Sequence, residues 1–172
     1  MAGPIEIDVW QGEIAELEVD ALVVAATESL FMTAGAAASV KRHGGDEIER
    51  AAVEQGPIRP GSAVATSGGS LAAPYVIHAV AVGHDRMADA EVAAAAVRAA
   101  LVFVEPLQLR RIAVALLGVE HGAFTPDEAA AILVPTLLAA ARSTPIESIV
   151  LAAAHAREAQ ALVAAMASVP VT

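Results

Sequence analysis

Runs of apolar residues along the chain predict six β-strands. Ile5, Ile7 and Val9 alternate with polar or aromatic neighbours, a period of two that is typical of a strand with one buried face. Residues 21–25 are apolar without interruption, which indicates a strand covered on both faces and therefore internal to its sheet. The turn residues 68–70 allow the third and fourth strands to form a hairpin or near-hairpin. The predicted strands are residues 5–10, 21–25, 62–67, 74–82, 111–117 and 149–153.

The segments between these strands carry helical patterns. The most specific start signal is Thr125-Pro126-Asp127-Glu128, a capping box with proline at the first helical position. Alternation of strand and helix predicts a single domain over residues 1–172, an α/β fold built as a three-layer α/β/α sandwich around a mixed, mainly parallel sheet. The predicted helices are residues 36–43, 46–55, 88–104, 126–142 and 157–167.

Composition supports a folded chain with an unusual core. Hydrophobic residues make up 56 % and charged residues 17 % of the 172 residues, which excludes disorder caused by a lack of apolar surface. Much of the apolar fraction is alanine, and there are only three Phe, one Tyr and one Trp. We therefore expect a core of Val, Ile and Leu, with alanine-faced helices packed closely.

Charge and residue usage narrow the classes of function. The formal net charge of −10 disfavours a direct nucleic-acid partner. The lack of cysteine excludes a cysteine nucleophile or a thiolate metal site in this chain. No metal or cofactor is expected, because His43, His84 and His155 do not have metal-ligand spacing. Met1 is not followed by a basic and then apolar leader, and the apolar run 129–141 is short and contains proline, so we expect a cytoplasmic protein without a membrane partner.

Two loops that follow buried strands have the small residues that a bound ligand would require. They are residues 26–36 and 118–125, and each leads into a predicted helix. The free N–H groups at the start of such a helix can bind an anion.

The residues around these loops resemble the macrodomain family. Gly12-Glu13-Ile14, followed by Val-Asp-Ala-Leu-Val-Val-Ala-Ala-Thr at residues 19–27, is similar to the family's Gly-Asp-Ile turn and Val-Asp-Ala-Ile-Val-Asn-Ala-Ala-Asn segment. The likeness continues through residues 60–71, 75–80 and 112–118 and covers nearly the whole chain. It implies the macrodomain fold and, since macrodomains bind ADP-ribose and some hydrolyse its links, a nucleotide ligand.

Position by position, the resemblance implies a divergent ligand site. Glu13 takes the place of the adenine-selecting Asp, and Thr27 replaces the Asn that orients the distal ribose. Gly35 is the only glycine left in the first phosphate loop, and Ala37 stands where catalytic members of one subclass have an acid. Glu120 occupies a position of the second phosphate loop that is commonly Gly, where a carboxylate repels a diphosphate.

The resemblance assigns ligand binding to residues of the opening turn and of both loops. No aromatic residue at 153 or 154 is available to stack on adenine. The expected ligand-binding residues are Glu13, Ile14, Thr27, Ala34, Gly35, Ala36, Gly118, Val119, Glu120, His121, Gly122 and Phe124.

Each of these assignments has a plainer alternative. Glu13 can be a solvated turn residue, and the polarity of residues 27–29 can belong to an ordinary loop. Glu120 and His121 can share acid–base chemistry or simply be an exposed polar pair. His78 lies in an apolar strand and is expected to be structural.

Three functions remain open from the sequence. The first is binding of ADP-ribose or a related nucleotide diphosphate, weakly or with altered specificity. The second is hydrolysis of ADP-ribosyl or O-acetyl-ADP-ribose links, for which no catalytic residue can be named. The third is a scaffold that binds no nucleotide and acts through protein contacts, for example as a homo-oligomer.

Overall fold

Six strands and five helices make up the regular structure of the described residues. The computed structural model describes residues 3–83, 85, 87 and 89–170. The strands are β1 (Glu6–Gln11), β2 (Ala21–Ala26), β3 (Ala63–Ser67), β4 (Tyr75–Val80), β5 (Arg111–Ala115) and β6 (Ser148–Ala153). The helices are α1 (Gly35–Gly44), α2 (Asp46–Glu54), α3 (Ala90–Leu101), α4 (Pro126–Ala141) and α5 (Ala156–Ala167), and a 3-10 turn spans Ile14–Glu16.

The strands form one mixed sheet in the order β1-β6-β5-β2-β4-β3. Every neighbouring pair is parallel except β3 and β4, which are antiparallel as the turn between them predicted. β2 pairs with β5 on one side and β4 on the other, and all six of its residues are buried. The prediction of an internal second strand is confirmed.

The two faces of β2 pack into different helix layers. Val23 belongs to an apolar cluster with Ala96 of α3, Leu133 of α4 and Leu162 of α5. Leu22, one residue earlier and therefore on the opposite face, belongs to a cluster with residues of α1 and α2. This arrangement confirms the predicted three-layer α/β/α sandwich with a mixed, mainly parallel sheet.

Helix ends follow the capping chemistry of the sequence. The Thr125 hydroxyl accepts a hydrogen bond from the Glu128 N–H at 3.2 Å, and Glu128 accepts one from the Thr125 N–H at 3.1 Å, so the capping box is formed. α3 begins at Ala90, later than predicted, because the Asp89 side chain caps it. Ala88, the first residue of that predicted helix, lies outside the described residues.

The five parallel strands β1, β6, β5, β2 and β4 end at one edge of the sheet. Gln11 pairs with Ala153, and Ala115 pairs with Ala152, so the segments that follow these strands start side by side. In open α/β sheets ligands bind beyond this edge. Within the described ranges, no helix is long and apolar enough to cross a membrane.

Candidate functional site

A cavity of about 430 Å³ opens at the carboxyl edge of the sheet. It lies between the ends of β1, β5 and β6, the first turns of α1, the loop after β5 and the start of α5. Its lining residues are Gly12, Glu13, Ile14, Gly35, Ala36, Ser39, Arg42, Ala115, Leu116, Val119, Glu120, Ala154, His155 and Glu158.

Glu13 is held at one end of the cavity by α1. Its carboxylate accepts a hydrogen bond from the Ser39 hydroxyl, and the Arg42 guanidinium lies 3.9 Å from its other oxygen. Ser39 is buried, whereas about half of the Glu13 side chain is exposed. A buried hydroxyl therefore orients a carboxylate whose remaining acceptor capacity faces solvent and the cavity.

The N-terminus of α1 borders the cavity without a side-chain cap. Ala34 is the N-cap residue, and its methyl side chain makes no cap hydrogen bond to the first turn. Gly35 has φ of +57°, a left-handed conformation that favours glycine. The uncapped N–H groups of this turn can donate to an anion.

The loop after β5 is tied back on itself and carries Glu120. The Gly118 carbonyl accepts hydrogen bonds from the N–H groups of Ala123 at 3.1 Å and Phe124 at 3.2 Å. Gly118 has φ of +85°, and a Cβ there would lie 2.7 Å from the buried Phe124 ring. Phe124 therefore supports the loop from the core side.

The side chain of Glu120 crosses from this loop to the start of α1. A Cβ built on Gly35 would lie 2.6 Å from Glu120 Oε1, so the carboxylate lies directly against Gly35. Burial raises the pKa of Glu120 to about 7, and the nearby Glu158 charge contributes, against opposing hydrogen bonds from the N–H groups of Glu120 and Val119.

The start of α5 closes the other side of the cavity. The Ala154 N–H donates to Glu158 Oε1 at 3.0 Å, and His155 Nε2 lies 3.6 Å from Glu158 Oε2. His155 is the N-cap residue of α5, and more than half of its side chain is exposed. The imidazole is thus a flat, accessible surface on the wall next to Ala154.

The predicted site residues fall into two groups. Six of them line the cavity: Glu13, Ile14, Gly35, Ala36, Val119 and Glu120. The other six do not line it: Thr27, Ala34, Gly118, His121, Gly122 and Phe124.

Residues of the second group lie in or under the loops. Ala34 caps α1, and Gly118 and Gly122 shape the second loop with positive φ. The Thr27 hydroxyl is 3.3 Å from the Ser29 hydroxyl, and the Thr27 carbonyl accepts from the Leu30 N–H. Only Glu120 of the proposed Glu120–His121 acid–base pair lines the cavity.

Sequence reasoning missed four polar or charged residues that line the cavity. They are Ser39, Arg42, His155 and Glu158. A signal was available for two of them, because Ser39 and Arg42 follow Ala36 at a spacing of three, which keeps side chains near one face of a helix.

His78 lies in the core, away from this cavity. It is fully buried on β4, and its Nε2 lies 3.0 Å from the Thr66 hydroxyl. Its Nδ1 has no hydrogen-bond partner among the described residues. Burial lowers the pKa of His78 to about 4, so the imidazole is neutral at physiological pH.

Comparisons with known proteins agree on one family. The Macro domain model matches residues 23–133. An uncharacterised protein of Mycobacterium tuberculosis is 37 % identical over 130 residues, which cover 76 % of this chain but only 36 % of that protein. The chain thus spans about a third of that relative. A macro domain-containing protein of Cupriavidus necator is 36 % identical over 146 residues, which cover 81 % of this chain and 84 % of the relative.

A solved structure shows the same fold. The Trypanosoma brucei macrodomain in complex with ADP-ribose has a TM-score of 0.83 and 19 % identity, covering 91 % of this chain and 67 % of that one. Together with the match over residues 23–133, these likenesses show that the chain belongs to the Macro domain family.

Proposed function

We propose that the cavity binds ADP-ribose or a related nucleotide diphosphate, with weaker affinity or altered specificity compared with an undiverged macrodomain site. One observation carries this proposal: the uncapped N-terminus of α1 and the loop from Gly118 to Phe124 meet over a cavity at the carboxyl edge of the sheet. The N–H groups at the start of α1, together with those of Val119 and Glu120 beside the same cavity, favour a ligand with adjacent anionic groups.

The dimensions and the far end of the cavity fit a nucleotide. A volume of about 430 Å³ lies in the range of small-molecule sites. Glu13, oriented by Ser39, offers an acceptor to an exocyclic amine, and the Arg42 guanidinium beside it offers a donor or a stacking surface. His155 supplies a flat ring on the neighbouring wall where residues 153 and 154 have no aromatic side chain.

Altered specificity is proposed because of the charges in the cavity. Three carboxylates, those of Glu13, Glu120 and Glu158, line it, against the guanidinium of Arg42 and the imidazole of His155. Glu120 lies against Gly35, in the space that a phosphate approaching α1 would use. A diphosphate must therefore overcome a repulsion that a glycine at position 120 would not cause.

Titration calorimetry tests the proposal. The protein is titrated with ADP-ribose, ADP and AMP at one fixed salt concentration and about pH 6.5. We expect saturable binding in the order ADP-ribose, ADP, AMP, and loss of most of it when Arg42 and Glu13 are both replaced by Ala. The matched control is Glu54→Gln, which removes an exposed carboxylate at the end of α2, outside the lining residues.

An absence of heat with all three ligands would overturn the proposal if a competition assay with labelled ADP-ribose also detected no binding. The scaffold function would then be the remaining candidate. Release of ADP-ribose from a modified protein would instead add the hydrolase activity to the binding proposed here.

A further inference from the structure

The position of Glu120 places a titratable carboxylate inside the proposed anion site. Its Oε1, Cδ and Cγ atoms would lie 2.6 to 2.8 Å from a Cβ at Gly35, so the whole end of the side chain covers the first residue of α1. The carboxylate also lies near the N–H groups of Val119 and Glu120 in its own loop. The Glu120 carboxylate thus lies between the N–H groups at the start of α1 and those of Val119 and Glu120, where a bound phosphate would lie.

The charged groups around Glu120 determine the electrostatic environment of a phosphate that binds there. From α5, Glu158 faces it as a second carboxylate and His155 borders the same cavity. From the turn after β1 and from α1, Glu13 and Arg42 line the cavity as a pair. His121 follows Glu120 in the same loop but does not line the cavity. Arg42 lies beside Glu13, and the neighbouring charge that acts on Glu120 is the carboxylate of Glu158.

We propose that Glu120 couples ligand binding to proton uptake: a diphosphate occupies the groove only when the Glu120 carboxylate has taken a proton from solvent. This inference rests on the proposed function and adds that the ionisation state of Glu120 controls which ligands bind at that site and at which pH. The protonated acid carries no charge and can donate a hydrogen bond to a phosphate oxygen, whereas the ionised one is repelled. Glu120 is then a specificity-determining residue: the diphosphate binds at low pH, where the carboxyl group is neutral, and is repelled at high pH, where it is ionised.

The direction of the pH dependence follows from the same burial. The pKa of Glu120 in the free protein is raised to about 7, and a bound diphosphate raises it further. The affinity for a diphosphate is therefore independent of pH below about pH 7, where Glu120 is already protonated before binding. Above about pH 7 the affinity falls by up to about tenfold per pH unit, since each unit lowers the protonated fraction about tenfold.

Calorimetry with ADP-ribose between about pH 6 and pH 9 measures this coupling. ADP-ribose is the appropriate probe because both of its phosphates stay singly ionised over this range, whereas the terminal phosphate of ADP titrates near pH 6 to 7. Titrations at about pH 8 in two buffers with different ionisation enthalpies give the number of protons taken up. We expect nearly one proton per ADP-ribose bound.

Three variants separate Glu120 from its neighbours. Glu120→Gln keeps the size of the side chain and a hydrogen-bond donor. We expect its affinity for ADP-ribose to be independent of pH and its binding to take up no proton. Glu54→Gln should behave as the unchanged protein. His155→Gln removes the imidazole that borders the same cavity, and we expect the pH dependence to persist.

The outcomes distinguish the inference from the proposed function. Binding of ADP-ribose with the same pH dependence and proton uptake in Glu120→Gln would overturn the inference and leave the proposed function intact. Loss of the pH dependence in His155→Gln alone would assign it to the imidazole and also overturn the inference. A lack of binding by every variant at every pH, including folded Glu120→Gln, would overturn the proposed function itself.

Discussion

The hydroxyl of Ser39 donates a hydrogen bond to the carboxylate of Glu13, linking the middle of α1 to the turn after β1. Ser39 is buried, so its side chain has little freedom, and the bond fixes one Glu13 oxygen. Glu13 is one methylene longer than the Asp of the family's pattern, and α1 takes up that extra length by holding the carboxylate close. The position of the predicted adenine acceptor is thus determined jointly by two elements.

Replacing Ser39 by Ala is expected to weaken the binding of ADP-ribose about fivefold. The loss corresponds to one hydrogen bond of about 1 kcal/mol that no longer orients Glu13. Glu13→Ala should have a larger effect and should abolish the preference for ADP over IDP, because hypoxanthine lacks the amine that Glu13 would accept from. Calorimetry measures both effects. The control for Ser39→Ala is Ser143→Ala, which removes an exposed hydroxyl outside the cavity.

The Glu13 prediction has its own refuting outcome. If Glu13→Ala still preferred ADP to IDP as strongly as the unchanged protein, Glu13 would not be the acceptor for the adenine amine.

Substitution of Gly35 is expected to destabilise the protein more than substitution of Gly122. Both glycines have positive φ, +57° and +73°, so alanine costs about 1 kcal/mol of backbone strain at either position. A Cβ at Gly122 meets nothing within 4 Å, whereas a Cβ at Gly35 clashes with Glu120. Gly122→Ala is therefore a control for strain alone. Urea unfolding measures the free energies of unfolding.

The excess cost at Gly35 should disappear when Glu120 is also replaced by Gly. The double variant then keeps only the strain, and its destabilisation, measured relative to Glu120→Gly, should equal that of Gly122→Ala. An excess that persists in the double variant would show that Glu120 does not lie against Gly35.

Most of the fold could be predicted from the sequence because short-range chemistry defines it. The β2 segment is apolar at every position, which requires cover on both sides, and Thr125 and Glu128 carry the two halves of a capping box. The predictions were wrong at the ends of elements, for example at the start of α3. The alanine-rich sequence there gives no helix boundary, and the Asp89 side chain sets the start by capping the helix.

The candidate site could be predicted only in part, because side-chain direction depends on contacts distant in sequence. The glycines at 35 and 118 mark the two loops, and Glu13 marks the turn. The path of Glu120 toward Gly35 depends on the positive φ of Gly118 and on the approach of α1, neither of which can be read from residues 118–122. The approach of His155 and Glu158 likewise requires the pairing of β6 with β1 and β5.

His78 is expected to make the free energy of unfolding fall as the pH decreases from about 6.5 to about 4. Its pKa is lowered to about 4 in the folded protein, so over this range the unfolded chain binds more protons than the folded one. The loss can reach about 3 kcal/mol. Denaturation at several pH values should show that the unfolding free energy of the unchanged protein falls relative to that of His78→Gln as the pH decreases over this range. The glutamine keeps a group that can bond to Thr66. An imidazole resonance of His78 that titrates near pH 6.5 in the folded protein would contradict this prediction.

Glu120 is expected to have the opposite effect on stability. Its raised pKa means that the folded protein holds a proton on Glu120 up to about pH 7, while the unfolded chain loses it near pH 4.5. The stabilisation is full below about pH 4.5 and is lost as the pH rises through about 7. Glu120→Gln stays neutral, so its advantage in unfolding free energy over the unchanged protein should grow from near zero to the order of 1–3 kcal/mol above pH 7.

Because the contributions of His78 and Glu120 oppose each other between about pH 4.5 and 6.5, the unchanged protein shows only their difference there. The test is therefore the pH dependence of the difference between Glu120→Gln and the unchanged protein, with Glu54→Gln as the exposed-carboxylate control. A difference that is the same at about pH 5 and pH 8 would mean that Glu120 is ionised in both the folded and the unfolded state. It would then carry its charge in the groove at every pH in this range, and a diphosphate would meet that charge at each of them.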